Sequence, residues 1–250
     1  MATDFMRIAS IFVVMTSVIA LMNQKFVRCS RLCRSQTKLM SSVPSPTSSF
    51  TISSSDGSMK PIETSMKVVK DHFPLSALPT MEDQQVIEQR QTGRPAHGIF
   101  GVENTRCKHG FPQAYVQYPV TRTISSGMIR LSCPHLVKAV DELEAEGGLD
   151  YFDAKLLEEP ADGALRTSFN ETNQAWISIR KDTVSEADRK FIDTYLGIEG
   201  AEFFMESGII GCTIGKIQVK CLHAHIADDL MRGSNKIGSQ ALDRLKEKGI

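Results

Sequence analysis

The pattern of hydrophobic and polar positions changes its period at Cys133-Pro134. Before this point, residues 114–120 and 128–132 are two β-prone runs separated by a loop, which predicts an antiparallel hairpin. After it, apolar residues recur at helical spacing until Gly147, which is typical of an amphipathic helix. Pro134 suits the first position of that helix, because no amide hydrogen is needed there.

Helical spacing continues through most of the remaining chain. An earlier short helix is predicted from Thr80, whose hydroxyl can cap it together with Asp83. Further helices are predicted over residues 150–158, 164–180, 185–196, 199–207, 219–231 and 239–248. The sequence therefore predicts an α+β protein that is predominantly α-helical, with a small β-hairpin or sheet packed on a helical bundle.

The N-terminal part of the chain differs in composition from the rest. Residues 8–22 form an apolar run shorter than the roughly 20 residues of a bilayer span, and a basic, Ser-rich segment without acidic residues follows. We interpret residues 1–40 as a targeting presequence with a signal-like and a transit-like part, which predicts import into a plastid (chloroplast). The alternative is an uncleaved anchor, which would place the protein at a membrane, through residues 8–22, or in the secretory pathway.

Residues 41–80 contain much Ser and Pro and predict a linker, because such a composition buries little apolar surface. The N-terminal region as a whole is expected to be disordered, and residues 81–250 are expected to form a single globular domain. The formal net charge is zero, but the first 55 residues hold six of the 29 Lys and Arg and one of the 29 acidic residues. The remainder is mildly acidic, so no nucleic-acid partner is expected.

Three short segments concentrate the residues that bind soft metals. They are Cys107-Lys108-His109, Cys133-Pro134-His135 and Cys221-Leu222-His223-Ala224-His225. Thiolates and imidazoles from separate parts of a chain are typical of a zinc site and, less often, of an iron–sulfur centre. In a compartment like the cytosol or stroma, such cysteines indicate metal or redox chemistry more often than disulfides.

The predicted hairpin would bring the first two of these segments close together. Its first strand begins shortly after His109 and its second ends at Cys133, and antiparallel pairing carries both ends to the same side of the sheet. Cys221 and His225 are four residues apart and would share one face of a helix, with His223 pointing elsewhere. The predicted zinc ligands are Cys107, His109, Cys133, Cys221 and His225, in a site with a structural or binding role.

Two other functions are compatible with the same residues. Cys133 would sit at the start of a helix, where the helix dipole favours nucleophilicity, and His223 or His225 would be its base in a thiol-dependent enzyme. Alternatively, the buried cysteines are small core residues, and the helical surface is a non-catalytic interaction module without metal. The sequence identifies neither a reaction nor a partner.

Several short pieces between about Met81 and Leu245 resemble, in their order and spacing, the domain of unknown function 501 family, known mainly from actinobacteria and found in photosynthetic eukaryotes. The matching pieces are Gly93-Arg94-Pro95, Arg106-Cys107, Leu131-Ser132-Cys133-Pro134, Leu143-Glu144-Ala145-Glu146-Gly147, Val219-Lys220-Cys221-Leu222-His223-Ala224-His225 and Asn235-Lys236-Ile237-Gly238. Bacterial members have Cys-x-Cys at Cys107-Lys108-His109. The resemblance therefore favours a metal ligand over a catalytic thiol at His109, because zinc accepts either residue. It implies no activity.

Overall fold

The computed structural model describes residues 61–121 and 123–249, with side chains from residue 65 onward. The predicted presequence, the first part of the predicted linker and most of the region expected to be disordered lie outside the described residues. Among the helices that are described, none is both long enough and apolar enough to cross a bilayer.

Within the described residues, four short strands form one antiparallel sheet in their sequence order. They are β1 (Ser76–Ala77), β2 (Ile99–Glu103), β3 (Ala114–Gln117) and β4 (Ile129–Leu131). In the β3–β4 pair, Val116 lies opposite Ile129 and both side chains are buried. The predicted hairpin is therefore confirmed, and it forms one edge of a larger sheet.

The described part of the chain also contains eight α-helices. They are α1 (Pro61–His72), α2 (Met81–Gln85), α3 (Pro134–Ala145), α4 (Gly148–Glu158), α5 (Ala164–Thr183), α6 (Glu186–Glu206), α7 (Leu222–Arg232) and α8 (Lys236–Glu247). A π-helical turn, Val86–Gln91, continues α2, and a 3-10 turn, Ile209–Gly211, precedes α7. The predicted fold class, α+β and predominantly helical, is confirmed.

Local sequence signals set most helix boundaries. Thr80 and Asp83 cap α2 reciprocally, and Cys133 and Pro134 occupy the cap and first position of α3. The predicted helices 185–196 and 199–207 are the two halves of α6, which is interrupted at Gly197. Gly197 has φ 72° and ψ 169°, a conformation that is essentially restricted to glycine.

Helix α7 lies at the centre of the core, against β4 and α8. Its side chains Leu222, Ile226 and Met231 are fully buried. Helix α5 contributes Trp176, whose Nε1 donates to the buried carboxylate of Asp228 on α7 at 2.8 Å. This burial fixes the position of α7, at whose N-terminal end Cys221 and His223 lie.

The folded region begins earlier than the sequence predicted. Helix α1 and strand β1 fall within the predicted linker, and Val68, Val69 and Phe73 pack into the core. The linker prediction is wrong for this part, because the Ser- and Pro-rich composition stops before these apolar residues. Their burial against the sheet offsets the cost of ordering the segment.

Candidate metal centre

The first turn of α7 and one face of α3 meet at the carboxylate of Glu144. Its Oε1 accepts a hydrogen bond from the backbone N–H of Leu222 at 2.6 Å and lies 3.2 Å from Nδ1 of His223. Cys221, the N-cap residue of α7, makes no side-chain capping bond. Glu144 therefore does the capping from another helix and satisfies an amide that would otherwise be left open.

Three side chains with different donor atoms converge here. Ligand atoms of Glu144, Cys221 and His223 all lie within 4.8 Å of one another, and the Cys221 Sγ is 3.8 Å from the His223 Nδ1. All three residues are half-buried. Among the residues that the structure describes, this is the group of His, Cys, Asp and Glu side chains arranged to hold a metal ion.

The other ring nitrogen of His223 is fixed by α3. Nε2 lies 3.2 Å from the carbonyl oxygen of Val137 and 3.3 Å from Oδ1 of Asp141. Both neighbours are acceptors, so Nε2 carries a hydrogen and donates it. This leaves Nδ1 as the nitrogen that faces the thiol and the carboxylate, and an outer carboxylate or carbonyl of this kind is the usual partner of a metal-bound histidine.

Without a metal, the site holds its charges as a pair. Burial lowers the pKa of His223, but hydrogen bonds and charge interactions with Cys221 and Glu144 outweigh it and raise this pKa to about 10. Burial raises the pKa of Glu144, but hydrogen bonds from His223 and Leu222 bring it below its ordinary value. A metal ion on Nδ1 would replace the proton that binds there.

A cleft of about 380 Å³ opens beside the three side chains. Cys221 and His223 form part of its wall, while strand β4 and the loop before it contribute Ser125, Ser126 and Arg130. Arg94, from the loop after the π-helical turn, adds a guanidinium to the polar lining. The cleft gives solvent and small molecules access to the thiol and the imidazole.

Of the five predicted ligands, only Cys221 belongs to the group formed with Glu144 and His223. The other four predicted ligands lie outside this group. Cys107 is half-buried in the loop between β2 and β3, where its N–H donates to the carbonyl of Phe111. His109 is exposed in the same loop, and Cys133 is buried at the start of α3. The five-residue zinc set therefore stays a prediction.

The expectation that Cys221 and His225 share a face is wrong. Cys221 has φ −164° and precedes the first helical residue, so the spacing rule for helices does not apply to it. His225 is completely buried, and its Nδ1 lies 3.0 Å from Nδ2 of Asn235. Burial lowers the pKa of His225 to about 4, which keeps it neutral at physiological pH.

The residues predicted from the sequence to form the site do not include Glu144. The signal was present, because Val137, Asp141 and Glu144 follow one another at helical spacing on a single face. Their shared partner, His223, is 79 residues from Glu144 in the chain. A local sequence pattern cannot predict a contact between two residues that are so far apart in the chain.

The thiol–imidazole contact in the described part of the chain joins Cys221 and His223, and none joins Cys133 to a histidine. The carbonyl of Cys133 instead accepts from Val137 in the first turn of α3. The role predicted for Cys133 therefore stays a prediction.

Residues 103–243 match the model of a family described as "Protein of unknown function (DUF501)". This match confirms the resemblance found in the sequence and includes all three side chains of the candidate metal centre. No curated protein and no solved structure matches the chain.

Proposed function

This chain belongs to the DUF501 family of proteins of unknown function, and from its site we propose that it binds one zinc ion through Glu144, Cys221 and His223. The observation that carries the proposal is the convergence of three donor atoms, with His223 oriented by Val137 and Asp141. Three protein ligands leave the fourth tetrahedral position open, as in zinc sites that bind or activate a small molecule.

The distances support a tetrahedral ion. Zinc bonds to sulfur at about 2.3 Å and to nitrogen or oxygen at about 2.0–2.2 Å, so ligand atoms around one ion lie roughly 3.4–3.6 Å apart. The Cys221 Sγ to His223 Nδ1 distance is 3.8 Å, and the Glu144 Oε1 to His223 Nδ1 distance is 3.2 Å. Shifts of a few tenths of an ångström would accommodate the ion.

The donor types favour zinc over other common ions. A thiolate and an imidazole are poor ligands for Mg²⁺ or Ca²⁺, which take oxygen atoms. An iron–sulfur cluster is held by several cysteines, and this group contains only Cys221. A bound zinc ion would act as a Lewis acid toward a molecule in the neighbouring cleft.

Elemental analysis of the purified full chain tests the proposal. We expect about one zinc per chain in the wild type and a large loss of zinc in C221S and H223Q. Cys107 is also half-buried, so C107S is the matched control and should keep its zinc. If C107S loses zinc as C221S does, the ligands are those predicted from the sequence and the assignment of Glu144 is wrong.

A second candidate function follows from the contact between Cys221 and His223. A thiol 3.8 Å from an imidazole nitrogen is also an arrangement for nucleophilic catalysis. His223 presents the same Nδ1 to Cys221 and to Glu144, whereas a triad uses one ring nitrogen for each partner. Zinc-free protein with a rapidly alkylated Cys221 would favour this second function.

We also propose plastid import for the chain, on the composition of residues 1–40. A fluorescent protein fused behind residues 1–80 should enter plastids, and a fusion lacking residues 8–22 should not. Retention of the first forty residues in the mature protein would contradict a cleaved presequence.

A further inference from the structure

Two arginines face the cleft beside the metal centre. Arg94 and Arg130 both line it, and their charges act on the buried hydroxyl of Tyr115, another lining residue. The residues that line this cleft include no carboxylate. Within residues 65–121 and 123–249, neither Arg94 nor Arg130 forms an ion pair with a carboxylate. The positive charges of both guanidinium groups are therefore available to an anion.

Arg130 is held in place by neighbouring polar groups. Its Nη2 donates to the hydroxyl of Ser125 at 3.1 Å. When the side-chain amide of Gln117 is turned so that its oxygen faces Arg130, which satisfies both groups, that oxygen accepts from Nε at 3.0 Å. None of these contacts uses Nη1. A guanidinium fixed in this way loses little further conformational entropy when it binds a ligand.

We propose that this cleft binds the phosphate group of a small substrate, between Arg94 and Arg130 and next to the metal centre. The guanidinium of Arg94, Nη1 of Arg130 and the hydroxyls of Ser125 and Ser126 provide more donors than the two oxygens of a carboxylate can use. A tetrahedral phosphate has enough acceptor oxygens for them. The volume of about 380 Å³ fits a small molecule rather than a polymer.

The proposal names a substrate class for the proposed zinc site, and it rests on that site only for the chemistry that follows binding. Cys221 and His223 line the same cleft as the two arginines. A phosphate ester held there would have its polar end within reach of a Lewis acid. Binding of the anion itself depends on the arginines.

Calorimetric titration of the full chain with inorganic phosphate tests the proposal, in EDTA and again after loading with zinc. We expect phosphate to bind in both conditions, and R94Q and R130Q to weaken binding about tenfold or more. R189Q changes an arginine that is half-buried on α6, away from the cleft, and should bind as the wild type does. Arg94 is exposed, so R94Q keeps the test valid if R130Q fails to fold.

The outcomes separate the two proposals. No phosphate binding to the wild type, with or without zinc, overturns the phosphate site, while zinc content is measured independently. Binding that requires zinc and ignores both arginine substitutions makes phosphate a ligand of the metal alone and also overturns it. Acetate is the carboxylate probe, and acetate binding as tight as that of phosphate would overturn the assignment to phosphate.

Discussion

The carboxylate of Glu144 and the imidazole of His223 are 79 residues apart in the chain, and their Oε1 and Nδ1 atoms lie 3.2 Å apart. The same oxygen accepts the backbone N–H of Leu222, the first residue of α7. One side chain therefore caps the central helix and orients the imidazole beside the cleft. The contact is therefore expected to affect both the stability of the protein and the geometry of the candidate site.

Replacing Glu144 by Gln should destabilise the metal-free protein. The amide keeps an acceptor for Leu222 but removes the charge that stabilises the half-buried imidazolium of His223. We expect a loss of about 1–3 kcal/mol in the free energy of unfolding, measured by urea denaturation in EDTA. E142Q changes an exposed carboxylate on the same helix and should stay within about 0.5 kcal/mol of the wild type. Equal effects of the two would contradict the assigned contact.

Zinc should protect one half-buried thiol selectively. Cys107 and Cys221 are both half-buried, whereas Cys133 and Cys212 are buried. With zinc bound, alkylation of Cys221 should slow about tenfold or more relative to protein in EDTA, because the metal occupies the sulfur. Peptide mapping after a short reaction gives the rate for each thiol. Equal protection of Cys107 would instead indicate the ligand set predicted from the sequence.

Replacing Trp176 by Phe should destabilise the protein by more than the smaller side-chain volume alone explains, because the indole N–H is also lost. Asp228 is fully buried and accepts from Trp176 Nε1 at 2.8 Å, from Arg232 Nε at 2.9 Å and from Asn235 Nδ2 at 3.1 Å. W176F leaves one carboxylate oxygen short of a donor, and we expect a loss of about 2–4 kcal/mol in stability. The double variant with D228N should lose less than the sum of the two single variants. Additive losses would exclude an energetic coupling between these side chains.

The G238A variant should be severely destabilised. A Cβ at this position would overlap the carbonyl oxygen of His225, because α8 crosses α7 at backbone distance there. Backbone atoms cannot move aside as side chains do, so we expect a loss of about 3 kcal/mol or more, or failure to fold. S239A, at the next position of the same helix, is the control. A thermal midpoint for G238A close to that of the wild type would show that the helices can separate at little cost.

Asp229 should make stability fall as pH rises through its titration range. The pKa of Asp229 is raised to about 6 from an ordinary value of 3.8, chiefly by burial and also by the negative charges of Asp228 and Asp243. A hydrogen bond from the backbone N–H of Asn235 and the positive charge of Arg232 act in the opposite direction. The folded state then holds this proton more tightly than the unfolded state. Its stabilising effect is complete below pH 3.8 and is lost as pH rises through about 6.

The D229N variant cannot titrate at this position, so its stability relative to the wild type should increase between pH 4 and pH 7. We expect a change of about 1–2 kcal/mol, reduced from the full linkage value because the group is half-exposed. Urea denaturation at several pH values measures it, with D162N as the exposed control. A difference between D229N and wild type that does not vary with pH would contradict a raised pKa.

The sequence contained enough local information for most of the fold. The change of period at Cys133-Pro134, the capping pair Thr80 and Asp83, and the break at Gly197 each depend on neighbouring residues. Such signals are steric and hydrogen-bonding constraints within a few residues, and they were interpreted correctly. Helix α1 is not predicted from the sequence, because it contains few apolar residues and is stabilised by their packing against distant parts of the core.

By itself, the sequence determined that a thiol and an imidazole belong to the candidate centre, and it identified the segment from Cys221 to His225 that supplies both. The tertiary structure decided which residues meet. It placed Cys221 just before α7 rather than in it, turned His225 into the core, and brought Glu144 across from α3 to cap the helix. The physical reason is that helix periodicity orders residues along one element, whereas a metal centre depends on how separate elements pack.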